Sequence, residues 1–169
     1  MNKFILDACC GGRMSWFNKR HPNCLYVDER VALKGHRKQR PNHSVEPDMI
    51  MDFRKLELKD NSFKLVVFDP PHLKTLGNTS DFRKMYGGLN PETWRDDIKQ
   101  GFDECWRVLD NYGVLIFKWN EQEIKKREIL DVIEKEPLFG HPRGNRLNTI
   151  WFCFMKIPFN VTEGENEKN

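Results

Sequence analysis

The fold of this chain follows from one stretch of eight residues, Leu65-Val66-Val67-Phe68-Asp69-Pro70-Pro71-His72. The four apolar residues have the length and composition of a buried β-strand. Two consecutive prolines cannot continue a central strand, because proline has no backbone N–H to donate to its neighbour. The chain must therefore leave the sheet at Asp69, which exposes the Asp69 carboxylate and the carbonyls of Asp69 and Pro70.

Three earlier apolar runs end in the same way, each followed directly by an aspartate. They are Phe4-Ile5-Leu6 before Asp7, Cys24–Val27 before Asp28, and Met49–Met51 before Asp52. A single aspartate at a strand end is most often a turn or a helix cap. Four in succession favour a polar ligand, because ligands of α/β sheets bind at the carboxyl ends of the strands.

The second half of the chain predicts a parallel βαβ unit. Apolar residues recur on one helical face over Glu92–Leu109, with Asn90 as N-cap and Pro91 as the first helical residue. The run Gly113–Lys118 then predicts a fifth strand. A crossover of this length between two strands is typical of a parallel sheet.

Two more elements are predicted near the end of the chain. Asn120 and Glu123 resemble a capping box that opens a helix to about Glu134. The run Thr149–Lys156 predicts a final strand, which follows a turn at Gly140–Asn145.

Length and composition leave room for one globular domain. The chain has 169 residues, 38% of them apolar, and a net charge of +3. No apolar run approaches the roughly 18 residues of a membrane span, and the five cysteines form no Cys-x-x-Cys pair that would favour a zinc site. We expect a soluble cytoplasmic protein with neither metal nor membrane partner, a domain over residues 1–157 and a polar tail over 158–169.

The strand ends also suggest which ligand binds. Gly11 and Gly12 let the backbone approach a ligand closely, although a plain tight turn explains them equally well. Asp28 lies 21 residues after Asp7, the usual spacing of a carboxylate that accepts from ribose hydroxyls. Asp52 and Phe53 offer an acceptor for an exocyclic amine and an apolar face for a purine ring, unless Phe53 is simply a core residue.

The Asp69-Pro70-Pro71-His72 turn presents several acceptors and no amide donor at either proline. Such a cluster suits a neutral amino group attached to an aromatic ring. Hydrogen bonds from this amino group to the acceptors draw the nitrogen lone pair out of conjugation and aim it at an electrophile.

Together these motifs resemble the class I S-adenosylmethionine-dependent methyltransferases, and among them the nucleic-acid amino methyltransferases, which carry Asp/Asn-Pro-Pro-aromatic. The chain from about Lys3 to Lys156 is also similar to a small phage and prophage methyltransferase type, through Gly113–Glu121 and Trp151–Lys156. The resemblance implies a single α/β, Rossmann-like methyltransferase domain. Its sheet is mostly parallel with an antiparallel last strand, and its setting is a bacterial or phage-infected cell.

The resemblance also implies a role for each strand end. The cofactor S-adenosylmethionine would contact six residues: Asp7, Cys9 and Gly11 at the methionine part, Asp28 at the ribose, and Asp52 with Phe53 at the adenine. Four residues would form the catalytic turn: Asp69 and Pro70 as acceptors of the target amine, with Pro71 and His72 shaping the pocket. This chain departs from the pattern in two places, with Cys9-Cys10 in the glycine loop and His72 in place of the usual aromatic.

The predicted activity is methyl transfer to an exocyclic base amine, adenine N6 or cytosine N4 of DNA. A duplex target would have to be flipped out of the stack. Methylation of cytosine C5 needs a thiolate, usually in a Pro-Cys pair, and this chain has no Pro-Cys. RNA or a protein amide are alternative substrates, although Asp69 rather than asparagine argues mildly against the protein case. A non-catalytic binding protein with this fold is a third alternative.

A basic loop follows the Asp28 strand end. Four cations fall within seven positions: Lys34, Arg37, Lys38 and Arg40. A solvated surface explains most such runs. The position of this loop favours contacts with nucleic-acid phosphates, which add affinity without sequence information. The segment Leu73–Leu89 could close over the site from the other side.

Overall fold

The structure, a computed structural model, describes residues 3–37, 39–77, 80–141 and 148–158. Its seven strands form one sheet in the order β3-β2-β1-β4-β5-β7-β6. The strands are β1 (Ile5–Asp7), β2 (Cys24–Asp28), β3 (Met49–Ile50), β4 (Phe63–Phe68), β5 (Leu109–Asn120), β6 (Phe139–Gly140) and β7 (Thr149–Met155). The helices are α1 (Asp81–Tyr86), α2 (Trp94–Val108) and α3 (Lys126–Ile133).

Strand directions confirm the predicted Rossmann-like α/β architecture. The neighbouring strands β3, β2, β1, β4 and β5 pair in parallel. The last strand, β7, runs antiparallel to β5 and also pairs with the two-residue β6. Because parallel strands end at the same edge, Asp7 and Asp28 lie beside Asp69, which directly follows β4.

The helix α2 joins β4 to β5 and completes the predicted βαβ unit. Its apolar face is buried at Trp94, Ile98 and Phe102. The Asn90 side chain accepts from the Glu92 N–H at 2.9 Å, and the Asn90 carbonyl accepts from the Trp94 N–H at 3.0 Å. These bonds are those of the predicted N-cap, although the regular helix begins only at Trp94.

The predicted capping box at Asn120 and Glu123 is wrong. Asn120 is the last residue of β5, and α3 begins only at Lys126. The Glu123 carboxylate instead accepts from the backbone N–H groups of Lys74 at 2.7 Å and Thr75 at 3.2 Å. A nearby loop with unpaired N–H groups competes for the carboxylate, and a sequence pattern cannot reveal that competition.

The predicted turn at Gly140–Asn145 is described only in part. Gly140 belongs to β6, and residues 142–147 lie outside the described ranges. Most of the predicted polar tail, residues 159–169, also lies outside them.

Both helices α2 and α3 contribute to the main core, which includes Leu6, Val66, Phe117 and Phe152 of the sheet. A Cβ at Gly101 of α2 would overlap the Phe53 ring, so glycine there permits a close approach of helix and ring. On the other side of β2, a smaller cluster of Cys10, Cys24 and Tyr26 packs with Trp16 of the connection 8–23. That connection consists of turns and irregular backbone and contains no helix.

Two absences hold for the residues that the structure describes. No helix there combines the length and hydropathy that a membrane crossing needs. Histidine, cysteine, aspartate and glutamate side chains nowhere in these ranges gather in a group of three or more that could hold a metal ion.

Candidate active site

A cavity of about 280 Å³ lies at the carboxyl edge of β1, β2 and β4. The glycine loop forms one wall, the Asp69–His72 turn forms another, and the end of α1 contributes Met85 and Tyr86. Nine of the ten predicted cofactor and catalytic residues line it: Asp7, Cys9, Gly11, Asp28, Phe53, Asp69, Pro70, Pro71 and His72.

Asp7 forms the floor of this cavity at the end of β1. Its side chain is only 4% exposed, and its carboxylate accepts from the Trp16 indole N–H at 2.6 Å. Burial raises the pKa of Asp7 from 3.8 to about 7, and the Trp16 hydrogen bond only partly opposes this rise. A carboxylate held in this state gains most from a cationic partner, such as the ammonium group of an amino acid.

The Asp28 carboxylate already accepts hydrogen bonds from other groups of the protein. One carboxylate oxygen accepts from the Gly11 N–H at 2.8 Å and Arg30 Nη2 at 3.1 Å, and the other from the Arg30 N–H at 3.0 Å and Arg30 Nε at 2.9 Å. Four bonds fill the acceptor capacity of a carboxylate. A ribose can therefore bind to Asp28 only when the Arg30 side chain moves away.

Asp52 is the predicted cofactor residue that does not line the cavity. Arg54 takes both of its carboxylate oxygens, at 2.9 Å and 2.7 Å, and also binds Asp97. This pairing holds the pKa of Asp52 below its usual value. Phe53 does line the cavity and is also a core residue whose ring centroid lies 5.6 Å from that of Phe68. Its contact with a purine ring stays a prediction.

The two cysteines of the glycine loop are thiols, not nucleophiles. Burial raises the pKa of Cys9 well above 9, and raises that of Cys10 to about 12. Only the thiolate attacks carbon. The loop therefore contributes its backbone and its shape, and Gly12 fits because a Cβ there would lie 2.7 Å from His43 Nε2.

Lys118 of β5 is a site residue that the sequence analysis missed. Its Nζ donates to Asp69 Oδ2 at 2.6 Å. Burial raises the pKa of Asp69, while the charge of Lys118 and its hydrogen bond oppose this rise. No hydrogen bond to Asp69 Oδ1 was found among the described residues. Only the register between β4 and β5, which pairs Phe68 with Phe117, could have placed Lys118 here.

His72 lies between two other aromatic rings. Its ring is edge-on to Trp119, with centroids 6.3 Å apart, and tilted against Tyr86 at 6.4 Å. Burial and the nearby Lys118 lower the pKa of His72. The ring is therefore neutral near pH 7.

A wider basic groove adjoins the cavity and shares Gly11–Met14 and His43 with it. Six cations line this groove, against the two acidic residues Glu46 and Asp48: Lys3, Arg13, Lys19, Arg20, Lys34 and Arg40. Lys3 and Arg13 pair with Asp48. Within the described ranges, Arg20, Lys34 and Arg40 are exposed and form no ion pair.

The four cations of the basic loop thus differ in their surroundings. Lys34 and Arg40 face the groove, whereas Lys38 lies outside the described residues. Arg37 departs from expectation, since its side chain is 5% exposed and its guanidinium pairs with Asp81 of α1. The pairing ties the loop to α1, and the predicted contact of Arg37 with a phosphate would require this pair to open.

The fold is that of solved Rossmann-like S-adenosylmethionine-dependent methyltransferases. No protein-family model matches the chain, and no curated protein matches its sequence. Solved structures do match. A TehB-like S-adenosylmethionine-dependent methyltransferase of Corynebacterium glutamicum has a TM-score of 0.55 and 20% identity, with 92% of this chain and 80% of that chain covered.

One archaeal and one further bacterial structure match this chain with comparable TM-scores. The PH0226 protein of Pyrococcus horikoshii has a TM-score of 0.56 at 15% identity, covering 90% of this chain and 81% of that one. An S-adenosylmethionine-dependent methyltransferase of Thermotoga maritima has a TM-score of 0.50 at 14% identity, with the same coverage. At these identities the likeness establishes the fold that is shared, and nothing of the substrate.

Proposed function

We propose that this chain transfers a methyl group from S-adenosylmethionine to the exocyclic amine of a nucleic-acid base, adenine N6 or cytosine N4 in DNA. The observation that carries this proposal is one cavity that joins the glycine loop and Asp7 to the Asp69-Pro70-Pro71 turn. A cofactor pocket and an acceptor cluster for an amine then lie within reach of each other.

The residues present fit the proposed cofactor. Asp7 suits its ammonium group, because a buried carboxylate gains from a cationic partner. Gly11, with φ of +45°, and Gly12 let the backbone of the loop approach the ligand closely. Phe53 supplies an apolar wall for the purine, and Asp28 can hold the ribose once Arg30 has moved. When bound, S-adenosylmethionine supplies an electrophilic methyl group on a sulfonium.

In this proposal, the Asp69–His72 turn contributes to catalysis by positioning the target amine. Asp69 Oδ1 and the Pro70 carbonyl accept the two N–H groups of the target amine, so that its lone pair leaves the ring conjugation. The nitrogen would gain positive charge as its bond to the methyl carbon forms and the bond from that carbon to the sulfonium sulfur breaks, with S-adenosylhomocysteine as the leaving group. The Asp69 carboxylate would stabilise that charge and could receive the proton released from nitrogen. Lys118 donates to Asp69 Oδ2 at 2.6 Å, and its charge and hydrogen bond favour the ionised form of Asp69 against the effect of burial on its pKa.

The basic groove supports a polyanionic partner. Arg20, Lys34 and Arg40 lie along a surface that continues from the cavity, where phosphates of a strand could bind while one base enters the cavity. DNA is the proposed substrate, with RNA or a protein amide as alternatives. A bacterial or phage-infected cytoplasm belongs to the proposal and follows from the sequence resemblance alone.

A methyl-transfer assay tests the proposal. Tritiated S-adenosylmethionine is incubated with the chain and with separate pools of DNA, RNA and protein, and digested products are identified by mass spectrometry. We expect label in DNA as N6-methyladenine or N4-methylcytosine. Asp69→Ala should lose this label while its cofactor affinity stays within a few-fold of wild type, because Asp69 acts on the amine.

Asp96→Ala is the matched control, since Asp96 is an exposed aspartate of α2, and it should remain fully active. Full turnover by Asp69→Ala would refute the mechanism. Label found only in RNA or only in protein would show that DNA is not the substrate and would assign the substrate to that pool. Label in no pool would favour a non-catalytic binding protein.

A further inference from the structure

At the position where the sequence resemblance places a stacking aromatic, this chain has His72, whose smaller ring packs edge-on against Trp119. A base that donates its amine to Asp69 and Pro70 still needs a flat surface on which to stack, because stacking on aromatic side chains is the usual way to hold an unstacked base.

Tyr86 offers such a surface. It is the last residue of α1, lines the same cavity as Asp69 and Pro70, and leaves 38% of its surface exposed. Its ring is stacked with that of Phe82, with centroids 6.2 Å apart and planes 28° apart. Phe82 is itself 61% exposed. Tyr86 thus lines the cavity, and the more exposed Phe82 packs against the Tyr86 ring.

The contacts of α1 fix Tyr86 relative to the catalytic turn. Gly87, the next residue, has φ of +77°, and a Cβ there would lie 3.0 Å from Pro71 Cγ. At the other end of α1, Asp81 pairs with the buried Arg37. In between, Arg83 donates to the Leu76 carbonyl at 3.2 Å. The pairing with Asp81 accounts for the burial of Arg37.

We propose that Tyr86, backed by Phe82, is the face on which the target heterocycle stacks while Asp69 and Pro70 accept its amine. The inference rests on the proposed function and assigns the substrate subsite within it. Stacking tolerates every base, whereas the acceptors select bases that carry an exocyclic amine. Tyr86 would therefore determine the affinity for the extruded base, and Asp69 would determine which bases are methylated.

A fluorescence titration tests this subsite without requiring turnover. The probe is a single-stranded DNA oligonucleotide with one 2-aminopurine, a base that carries an exocyclic amine and whose fluorescence is quenched by stacking. It is titrated with protein in the presence of S-adenosylhomocysteine. We expect quenching by wild type and by Tyr86→Phe. Tyr86→Ala should lose the quenching and bind the probe on the order of ten-fold more weakly.

Two measurements separate a stacking role from a structural one. Tyr86→Ala should keep the wild-type melting temperature and S-adenosylhomocysteine affinity, because the side chain is partly exposed. Tyr112→Ala, which removes a tyrosine that lines neither cavity, should behave as wild type. In methyl transfer, Tyr86→Ala should raise KM far more than it lowers kcat, with rescue by Tyr86→Phe.

The outcomes distinguish this subsite from the proposed function. If wild type methylates DNA but Tyr86→Ala quenches and binds the probe normally, the stacking role is refuted and the function stands. If His72→Ala, and not Tyr86→Ala, loses the quenching, the face belongs to His72. If wild type neither quenches the probe nor methylates any pool, both proposals fail together.

Discussion

Replacing Asp7 with asparagine should stabilise the folded chain at neutral pH and abolish cofactor binding. The folded protein holds this carboxyl at a pKa of about 7, against 3.8 in its ordinary state. Each pKa unit corresponds to about 1.4 kcal/mol, so ionised Asp7 costs the fold at most about 4 kcal/mol. Asparagine keeps an oxygen for the Trp16 indole but adds an NH₂ group that needs partners, which leaves an expected gain on the order of 2 kcal/mol.

The sign of the pH dependence follows from the direction of this change. Between pH 3.8 and about 7 the folded chain holds the Asp7 proton, whereas the unfolded chain has released it. Because the folded state binds more protons there, the Asp7 contribution lowers the free energy of unfolding as pH rises through this window. The Asp7→Asn variant should therefore match wild type near pH 4 and exceed it increasingly up to pH 7.

Urea unfolding followed by tryptophan fluorescence, at steps between pH 4.5 and 8, measures this difference. Other carboxyls cancel in the comparison of variant with wild type. Calorimetric titration with S-adenosylhomocysteine at pH 7.5 measures the second effect. A stability difference that does not change with pH, or a variant that is less stable at pH 8, would refute the reasoning about burial. Wild-type cofactor affinity in the variant would remove Asp7 from the site.

Two further predictions concern neighbouring charges. Arg30→Ala should destabilise the free protein by roughly 1–3 kcal/mol. The variant should nevertheless bind S-adenosylhomocysteine several-fold more tightly, because Asp28 no longer has to exchange Arg30 for the ribose. Weaker binding in calorimetry would contradict this exchange of Arg30 for ribose. Joint replacement of Arg20, Lys34 and Arg40 by glutamine should weaken single-stranded DNA binding evenly across sequences and flatten the plot of log affinity against log salt by about 2 units. Replacing the exposed Lys55, Lys59 and Arg127, which line neither cavity, is the control, and an unchanged slope in the groove variant would exclude phosphate contacts there.

Local patterns were enough to predict the framework of this fold. An apolar run that ends in an acid needs only a few neighbouring residues to be recognised, and parallel pairing then brings Asp7, Asp28 and Asp69 to one edge. The helix over 94–108 was found for the same reason, since its 3.6-residue period is a local property.

The partners of these acids could not be predicted, because they depend on contacts that are distant in sequence or on the choice of one rotamer among several. Asp69 meets Lys118 through the register of β4 and β5, across 49 positions. Asp52 turns to Arg54 rather than to the cavity, and Glu123 caps the loop at Lys74 rather than a helix. A sequence shows that an acidic residue is present, but it does not show which cation or backbone amide pairs with that residue in the folded protein.

Calorimetric titration of S-adenosylhomocysteine into the wild-type chain tests most directly whether this cavity is a methyltransferase cofactor site. Binding with one molecule per chain is expected. Asp28→Ala should weaken it by roughly 1–3 kcal/mol, since it removes both the proposed ribose acceptor and the hydrogen bond from the Gly11 N–H at 2.8 Å. A folded wild-type protein that releases no heat and shows no ligand-dependent rise in melting temperature would contradict the central claim.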